Sequence, residues 1–372
     1  MNLKYLKYAI ALGYRNLGIT KDNPSVGAVI VKNNKIIGKG STQPPPGKHA
    51  EIMAIEDAIK NGYSLENSSM YVTLEPCSFY GRTPACAIEI SKTKIKEVII
   101  GITDPNPKVN GNGIKILETN KKVVKYNFLK DEIKYLHRFF IKHLNSNLPY
   151  ITLKIATSLD GYIGKKDSQI WLTNEASKRF SHRLRHFYDA ILVGFDTLIV
   201  DNPLLNIRYK FKNYGEKSNI NKIILWSSRR HLSPEQLENL NIFKQKDTNI
   251  FIIGDNFSKE EKSFFNKKEN IKVFNKNSKD TKEILEIFAI LKKNYEIYSI
   301  LIEGGAKIFN FFLQEDIYDE LNLFYSNKIL KNGIKLFNEY LDFSEINLNL
   351  FKQKKLGKNN FVIIYVKDYI LK

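Results

Sequence analysis

The sequence predicts an α/β protein in two domains, and three observations carry that reading. Short runs rich in Val, Ile and Leu alternate with stretches of helical spacing along the whole chain. A polar connector closed by proline, Asn145-Ser146-Asn147-Leu148-Pro149, interrupts the alternation. The length of 372 residues exceeds what one ordinary core organises. The boundary is therefore placed at the connector, giving a first domain over 1–146 and a second over 147–372. A hydrophobic content of 43% with 12% aromatics excludes global disorder. No apolar run approaches the ~20 residues of a membrane helix. Lysines interrupt the apolar residues of the opening segment, Met1-Asn2-Leu3-Lys4-Tyr5-Leu6-Lys7-Tyr8, so it does not read as a signal peptide.

In the first domain Leu3, Leu6, Ile10 and Leu17 recur at helical spacing and predict an opening helix. Asn23-Pro24-Ser25 breaks the chain before a buried strand over 26–31. Asn33-Asn34 is a tight turn into a second strand over 35–39, so the pair reads as a hairpin. The loop 43–47 delivers His49 and Glu51 to the first turn of a helix running to about Lys60, with Ile52, Ile55 and Ile59 on one face and Gly62 as its stop. A strand over 70–74 ends at Glu75-Pro76-Cys77, and Cys86 opens a short helix through Ile90. A strand (97–102), a helix (113–119) and a strand (122–126) complete an α/β/α sandwich, and a helical stretch over 131–143 leads to the connector.

The chemistry of this half rests on His49-Ala50-Glu51 read with Pro76-Cys77 and Cys86, the layout of a zinc-dependent deaminase site. One imidazole and two thiolates suit Zn²⁺ and leave a fourth position for a water, which the metal makes acidic near neutral pH. Glu51 is then a proton carrier rather than a ligand. Cys77 and Cys86 are the only cysteines in the chain and both fall inside the pattern; the plainer alternative is two idle thiols. Cysteines spent on metal fit a reducing cytoplasm. The commonest form of the layout has two residues between the cysteines. Here the interval is Ser78-Phe79-Tyr80-Gly81-Arg82-Thr83-Pro84-Ala85, a Gly- and Pro-marked loop able to fold back on the same metal.

With that insertion the sequence resembles the bifunctional riboflavin-biosynthesis deaminase–reductase family, whose members carry Pro-Cys-Ser-x-x-Gly-(Arg/Lys)-Thr-Pro-x-Cys. The resemblance implies a cytidine-deaminase-like sandwich with zinc on His49, Cys77 and Cys86 and with Glu51 catalytic. It places Asn23, in Asn23-Pro24-Ser25-Val26-Gly27, beside the substrate ring. It also places Asp104 and Asn106, in Asp104-Pro105-Asn106-Pro107, on the substrate, and Arg82 on its phosphate. From composition alone Asn23 and the Asp-Pro-Asn-Pro run read as turns. Family members usually carry histidine where this chain has Thr42 and Phe79, so the ring contacts are expected to differ.

In the second domain strands at 150–156, 190–193, 222–226, 250–253, 272–274 and 299–302 alternate with helices at 174–188, 259–266 and 281–294. That order implies a mainly parallel sheet with ligands at its strand ends. Thr173 or Asn174 caps the first of these helices, Ser158-Leu159-Asp160-Gly161 is a turn, and 361–366 is a last, edge strand. The absence of Gly-x-Gly-x-x-Gly argues against a Rossmann dinucleotide site. Glu303-Gly304-Gly305 instead lies between a strand and a helix over 306–313, where a phosphate can approach bare backbone. A helix start with a convenient glycine is an equal alternative.

Leu153-Lys154-Ile155-Ala156-Thr157-Ser158-Leu159-Asp160-Gly161, Trp171-Leu172-Thr173, Asp189-Ala190-Ile191-Leu192-Val193-Gly194, Thr197, Asp201-Asn202-Pro203-Leu204 and Arg208 are similar to the reductase half of the same family. The resemblance implies a dihydrofolate-reductase-like α/β domain. NADPH would lie along Ala156, Trp171, Thr197, Asp201, Ser227, Gly304 and Gly305. Substrate would meet Gln169, Arg185, Leu205, Arg208 and Glu303. Relatives have serine two residues before the tryptophan, whereas here Gln169 holds that place and Ser168 precedes it. Arg229 and Arg230 are candidates for the cofactor's 2′-phosphate, and Asp201 or Lys154 for proton delivery.

The net charge of +19 comes from lysines spread through the chain. We read it as the plain result of a composition rich in Lys, Asn and Ile, as an AT-rich genome gives, together with a field that gathers phosphorylated small molecules, rather than as a nucleic-acid footprint. The expected function is a cytoplasmic bifunctional enzyme with neither membrane nor nucleic-acid partner, assembled as a homo-oligomer, dimer or tetramer. It would deaminate 2,5-diamino-6-ribosylamino-4(3H)-pyrimidinone 5′-phosphate with zinc, then reduce the ribosyl to a ribityl chain with NADPH. The alternatives are a nucleic-acid base deaminase with an accessory domain and an inactive, zinc-stabilised binding protein.

Overall fold

A computed structural model describes residues 2–371 apart from 82–83, 166–169, 210, 212–213, 218, 228 and 338–347. Arg82, Ser168 and Gln169 therefore lie outside the described residues. The chain divides into two compact units, one of Met1–Ser146 with Lys212–Glu216 and Ile370–Lys372, the other of Asn147–Phe211 with Lys217–Tyr369. The two short returns to the first unit were not foreseen. Backbone and lysine bonds account for them: Gly215 N–H donates to Arg15 O (2.7 Å), and Lys134 Nζ to Leu371 O (2.9 Å).

The first unit runs α1 (Leu3–Gly13), β1 (Gly27–Lys32), β2 (Lys35–Ser41), α2 (Ala50–Lys60), β3 (Ser69–Leu74), α3 (Cys86–Ser91), β4 (Glu97–Ile102), α4 (Asn112–Thr119), β5 (Val123–Lys125), α5 (Lys130–Leu136) and α6 (Arg138–Asn145). Its sheet has the order β2-β1-β3-β4-β5, antiparallel about β1 and parallel from β3 to β5. The hairpin forms as expected. Asn33 (φ 48°) and Asn34 (φ 60°) both take the left-handed conformation, which matches the twist of the flanking strands.

The buried face of α2 keeps Ile55 of the isoleucine face but not Ile59, and is otherwise made of alanines and Glu51. Ala50, Glu51, Ala54, Ile55 and Ala58 are buried, whereas Ile59 is 59% exposed. The cause is close approach: a Cβ on Gly40 would stand 2.1 Å from Ala50 O, and one on Gly38 2.2 Å from Ala54 O. The helix lies directly on β2, and only alanines fit beneath it. This brings Glu51 inward with them. The expected single helix over 131–143 is broken at His137 (φ −92°, ψ 10°), whose buried ring lies 3.3 Å from the Thr73 hydroxyl.

The second unit comprises β6 (Tyr150–Thr157), β7 (Tyr162–Gly164), α7 (Glu175–Phe187), β8 (Ala190–Gly194), α8 (Phe195–Asp201), β9 (Asn221–Leu225), α9 (Pro234–Asn239), β10 (Ile250–Gly254), α10 (Lys259–Asn266), β11 (Ile271–Asn275) and α11 (Thr281–Tyr295). It continues with β12 (Ser299–Ile302), α12 (Ala306–Gln314), β13 (Glu320–Ser326), β14 (Ile334–Lys335), β15 (Asn349–Leu356) and β16 (Asn360–Val366). Its main sheet has the order β11-β10-β9-β8-β12-β6-β13-β16-β15. The strands are parallel from β11 to β13 and antiparallel beyond it. Asn174 is the cap of α7, its side chain accepting from Ser177 N–H.

Two strand expectations are corrected. The last strand, β16, is not the edge, because β15 covers it with an exposed lysine-rich face (Lys352, Lys354, Lys355) suited to an edge position. The strand β13 was missed. It buries Glu320 and Asn322, whose side chains bond each other at 2.8 Å, so polar residues stand where a core strand would show apolar ones.

Candidate metal centre and reductase site

Three elements meet at the metal-ligand cluster. His49 is the residue preceding α2, Cys77 follows β3, and Cys86 is the first residue of α3. One ligand atom from each lies within 4.8 Å of the others. His49 Nδ1 is 3.3 Å from Cys86 Sγ and 3.7 Å from Cys77 Sγ. The eight-residue loop is closed at its neck by the backbone: Cys86 N–H donates to Cys77 Sγ (3.3 Å) and Ala87 N–H to Cys77 O (3.1 Å). Hydrogen bonding from the Cys86 thiol holds the Cys77 thiol well below its usual range, and the same bond together with burial raises Cys86. One sulfur is thus already disposed to be a thiolate. An imidazole and two sulfurs of this character fit zinc.

Glu51 stands in the first turn of α2, 3% exposed, and its Oε2 has no hydrogen-bond partner among the described residues. A buried carboxylate oxygen without a partner is costly unless something arrives to use it. Burial lifts its carboxyl to about 7, with the His49 charge opposing. Asp104 is buried and raised to about 6, again chiefly by burial, and its Oδ1 accepts from Asn106 N–H (2.8 Å). Asn106 and Asn23 are half-buried in loops. Thr42, in a place where relatives have histidine, is buried and turned to the backbone, its hydroxyl accepting from Val26 N–H (3.1 Å). Phe79 is 48% exposed.

In the second unit the sheet order collects the expected cofactor residues. Ala156 is the last residue but one of β6, Thr197 follows β8, Ser227 follows β9, and Gly304-Gly305 follow β12, so all five stand at the C-terminal ends of four neighbouring parallel strands. Gly305 N–H donates to Thr197 Oγ1 (3.1 Å), joining two of them directly. A Cβ on Gly304 would lie 2.7 Å from Ile308 Cβ. Trp171 is 66% exposed, and Asp201, Arg208, Arg229 and Arg230 are exposed as well.

Beside that edge lies a buried ionic cluster. Arg185 on α7 meets Glu303 with two prongs, and Lys154 Nζ on β6 lies 3.7 Å from the same carboxylate. Burial would raise Glu303, but the Arg185 and Lys154 charges outweigh it and hold the carboxyl at about 2. Burial lowers Lys154. Arg185 Nη1 also donates to Asn206 O (3.0 Å), and Leu205 is buried beside it in the chain with φ 49°. The Arg185 guanidinium thus bonds both Glu303 and the Asn206 carbonyl. Sequence reasoning missed His182. It is buried, accepts from Arg208 N–H (3.4 Å), and is lowered to about 4 by burial and the Arg185 charge. Its signal was its place three residues before Arg185, on the same face of one helix.

Known proteins bear on both units. Residues 2–102 match the cytidine and deoxycytidylate deaminase zinc-binding region, and 149–362 match the RibD C-terminal domain. The riboflavin biosynthesis protein RibD of Aquifex aeolicus is 32% identical over 98% of both chains, and that of Bacillus amyloliquefaciens 37% identical over 88% of this chain and 85% of its own. Among solved structures, a diaminohydroxyphosphoribosylaminopyrimidine deaminase/5-amino-6-(5-phosphoribosylamino)uracil reductase from Thermotoga maritima is 32% identical with a TM-score of 0.79, covering 98% of both chains. Acinetobacter baumannii RibD is 29% identical with a TM-score of 0.78 over the same shares. With a His-Cys-Cys cluster in one unit and a RibD C-terminal domain over the other, the chain belongs to the RibD family of riboflavin-biosynthesis proteins.

Proposed function

We propose that the first unit deaminates 2,5-diamino-6-ribosylamino-4(3H)-pyrimidinone 5′-phosphate and that the second reduces the ribosyl group of the product to a ribityl chain with NADPH. The observation that carries this is the joining, in one chain, of the His49-Cys77-Cys86 cluster and its partnerless Glu51 oxygen to a RibD C-terminal domain. The Thermotoga maritima relative carries both activities in its name.

Zinc held by His49, Cys77 and Cys86 supplies the Lewis acidity that makes water a nucleophile near neutral pH. Glu51 takes the proton from the attacking water and returns it to the leaving amine, a task suited to a carboxyl near ambient pH. Asn23, Asp104 and Asn106 hold the ring, and Arg82 the phosphate. In the second unit NADPH supplies the hydride. Ala156, Trp171, Thr197, Asp201, Ser227 and the Gly304-Gly305 turn hold it at the sheet edge. Lys154, buried beside Glu303, delivers the proton that accompanies ring opening, in preference to the exposed Asp201. Exposed Arg208 takes the substrate phosphate, while Arg185 orients Glu303 toward the sugar hydroxyls. Gln169 and Leu205 are assigned to the substrate by the family resemblance alone.

Among the described residues no helix is long and apolar enough to cross a membrane. We assign the enzyme to the cytoplasm, where two free thiols stay reduced, and to a homo-oligomer. The test is an assay with the ribosyl pyrimidine phosphate that follows ammonia release and NADPH oxidation together. Ammonia release preceding oxidation supports the reading; RNA deaminated in place of the free nucleotide would overturn it.

A further inference from the structure

Glu75 belongs to neither set of functional residues above, yet it lies two residues before Cys77, directly after β3, and is buried. Its carboxylate accepts four backbone N–H groups from one stretch of chain. Oε2 takes those of Asp104 (3.1 Å) and Gly111 (3.0 Å), and Oε1 those of Gly113 (2.9 Å) and Ile114 (3.2 Å). The last two are in the first turn of α4, whose N-cap is Gly111. A glycine there has no side chain to satisfy the open donors of that turn, a service that Ser, Asp or Asn usually renders locally. Glu75 renders it from a distance of 36 positions in the chain.

The same carboxylate therefore pins both ends of the 104–113 segment. Between those ends stand Asp104 and Asn106, with Asn106 N–H bound to Asp104 Oδ1. The fit is close: a Cβ on Gly113 would lie 2.1 Å from Pro76 O. Both Glu75 oxygens are engaged with backbone, so the side chain acts through its neighbours and not on a ligand.

We propose that Glu75 is a positioning residue for deamination, a clamp that fixes the Asp104–Asn106 turn relative to the cysteine loop so that the pyrimidine meets the metal centre in register. This rests on the reading of Asp104 and Asn106 as substrate-binding groups. The turn has local bonds of its own, Asn106 N–H to Asp104 Oδ1 and Lys108 N–H to Asn106 Oδ1; the carboxylate, whose bonds are stronger than neutral ones, adds the link that ties this turn to the end of β3.

The test uses the full-length, zinc-loaded chain. Glu75→Gln exchanges one acceptor oxygen for an amide that faces two N–H donors, which opens half of the clamp. The expected result is a KM for the ribosyl pyrimidine phosphate raised about tenfold or more, with kcat changed far less. Zinc content and NADPH oxidation with supplied deaminated intermediate stay at wild-type levels. Glu75→Asp, which keeps the charge, recovers part of the loss. Asn106→Ala, measured alongside, separates the two ideas. If Asn106→Ala leaves KM unchanged, the turn does not bind substrate and both fall. If Asn106→Ala raises KM and Glu75→Gln does not, the clamp alone falls. A Glu75→Gln chain that loses zinc would make Glu75 a support for the metal loop and overturn the positioning role.

Discussion

Arg185 and Glu303 form a two-pronged ion pair, Nε to Oε1 and Nη2 to Oε2, both at 2.9 Å, with both side chains largely buried. Lys154 Nζ lies 3.7 Å from the same Oε2, so one negative charge is shared by two positive ones. Buried pairs of this kind contribute little net stability when intact but cost several kcal/mol when one partner is removed.

That arrangement fixes a pH dependence. The Glu303 carboxyl is depressed from 4.5 to about 2 in the folded chain. A depressed acid stabilises the fold above its unfolded pKa and loses that contribution as pH falls through the folded value. The contribution is roughly 3 kcal/mol. Glu303→Gln is therefore expected to destabilise the second unit by a few kcal/mol at pH 7. The gap to wild type should close as pH falls from 4.5 towards 2. Urea unfolding at stepped pH measures it; a gap that stays constant would show that the charge is not what the pair contributes.

Glu51→Gln keeps the shape of the site and removes the proton carrier. Deamination should fall about 10³-fold, within the usual range for a general acid–base. Zinc per chain and NADPH-dependent reduction should be unaffected. Ammonia release beside metal analysis decides it, and normal turnover would remove Glu51 from its role.

Cys86→Ser is expected to cost the chain its zinc and its deaminase activity while leaving reduction of supplied intermediate intact. In the wild type, zinc at about a thousand times its Kd should stabilise the first unit by about 4 kcal/mol. A chelator should reverse this, as thermal unfolding with and without the metal will show.

Gly304→Ala places a methyl group against Ile308 Cβ and pushes the start of α12 away from the strand ends. Overpacking of this kind costs about 1–3 kcal/mol. The KM for NADPH should rise about tenfold or more, with deamination unchanged. An unaltered KM would mean that the turn does not carry the cofactor.

Most of the metal cluster was legible in the sequence, because histidine, glutamate and two cysteines at fixed intervals are a chemical pattern that needs no tertiary context. Strands with apolar runs, such as β4 and β10, were legible for a similar reason. What escaped depended on distant partners. The inward face of α2 is set by glycines on β2, so its isoleucines misled. The strand β13 hides a core position behind Glu320 and Asn322, the Asn322 amide N–H donating to Glu320 Oε1. Glu75 gave no signal of its own because its four donors lie beyond β4 in the chain. The pairing of Arg185 with Glu303 spans 118 positions and left no local trace.

The neck of the cysteine loop, closed by Cys86 N–H on the Cys77 sulfur and Ala87 N–H on its carbonyl, separates two kinds of evolutionary freedom. His49, Cys77 and Cys86 answer to the neck, while the exposed residues Phe79, Tyr80 and Gly81 answer to what they meet outside it. Lengthening a closed loop adds little entropic cost. Descendants can therefore rewrite that span, exchanging an aromatic for a histidine or adding a residue, and explore new ring chemistries without endangering the ion beneath.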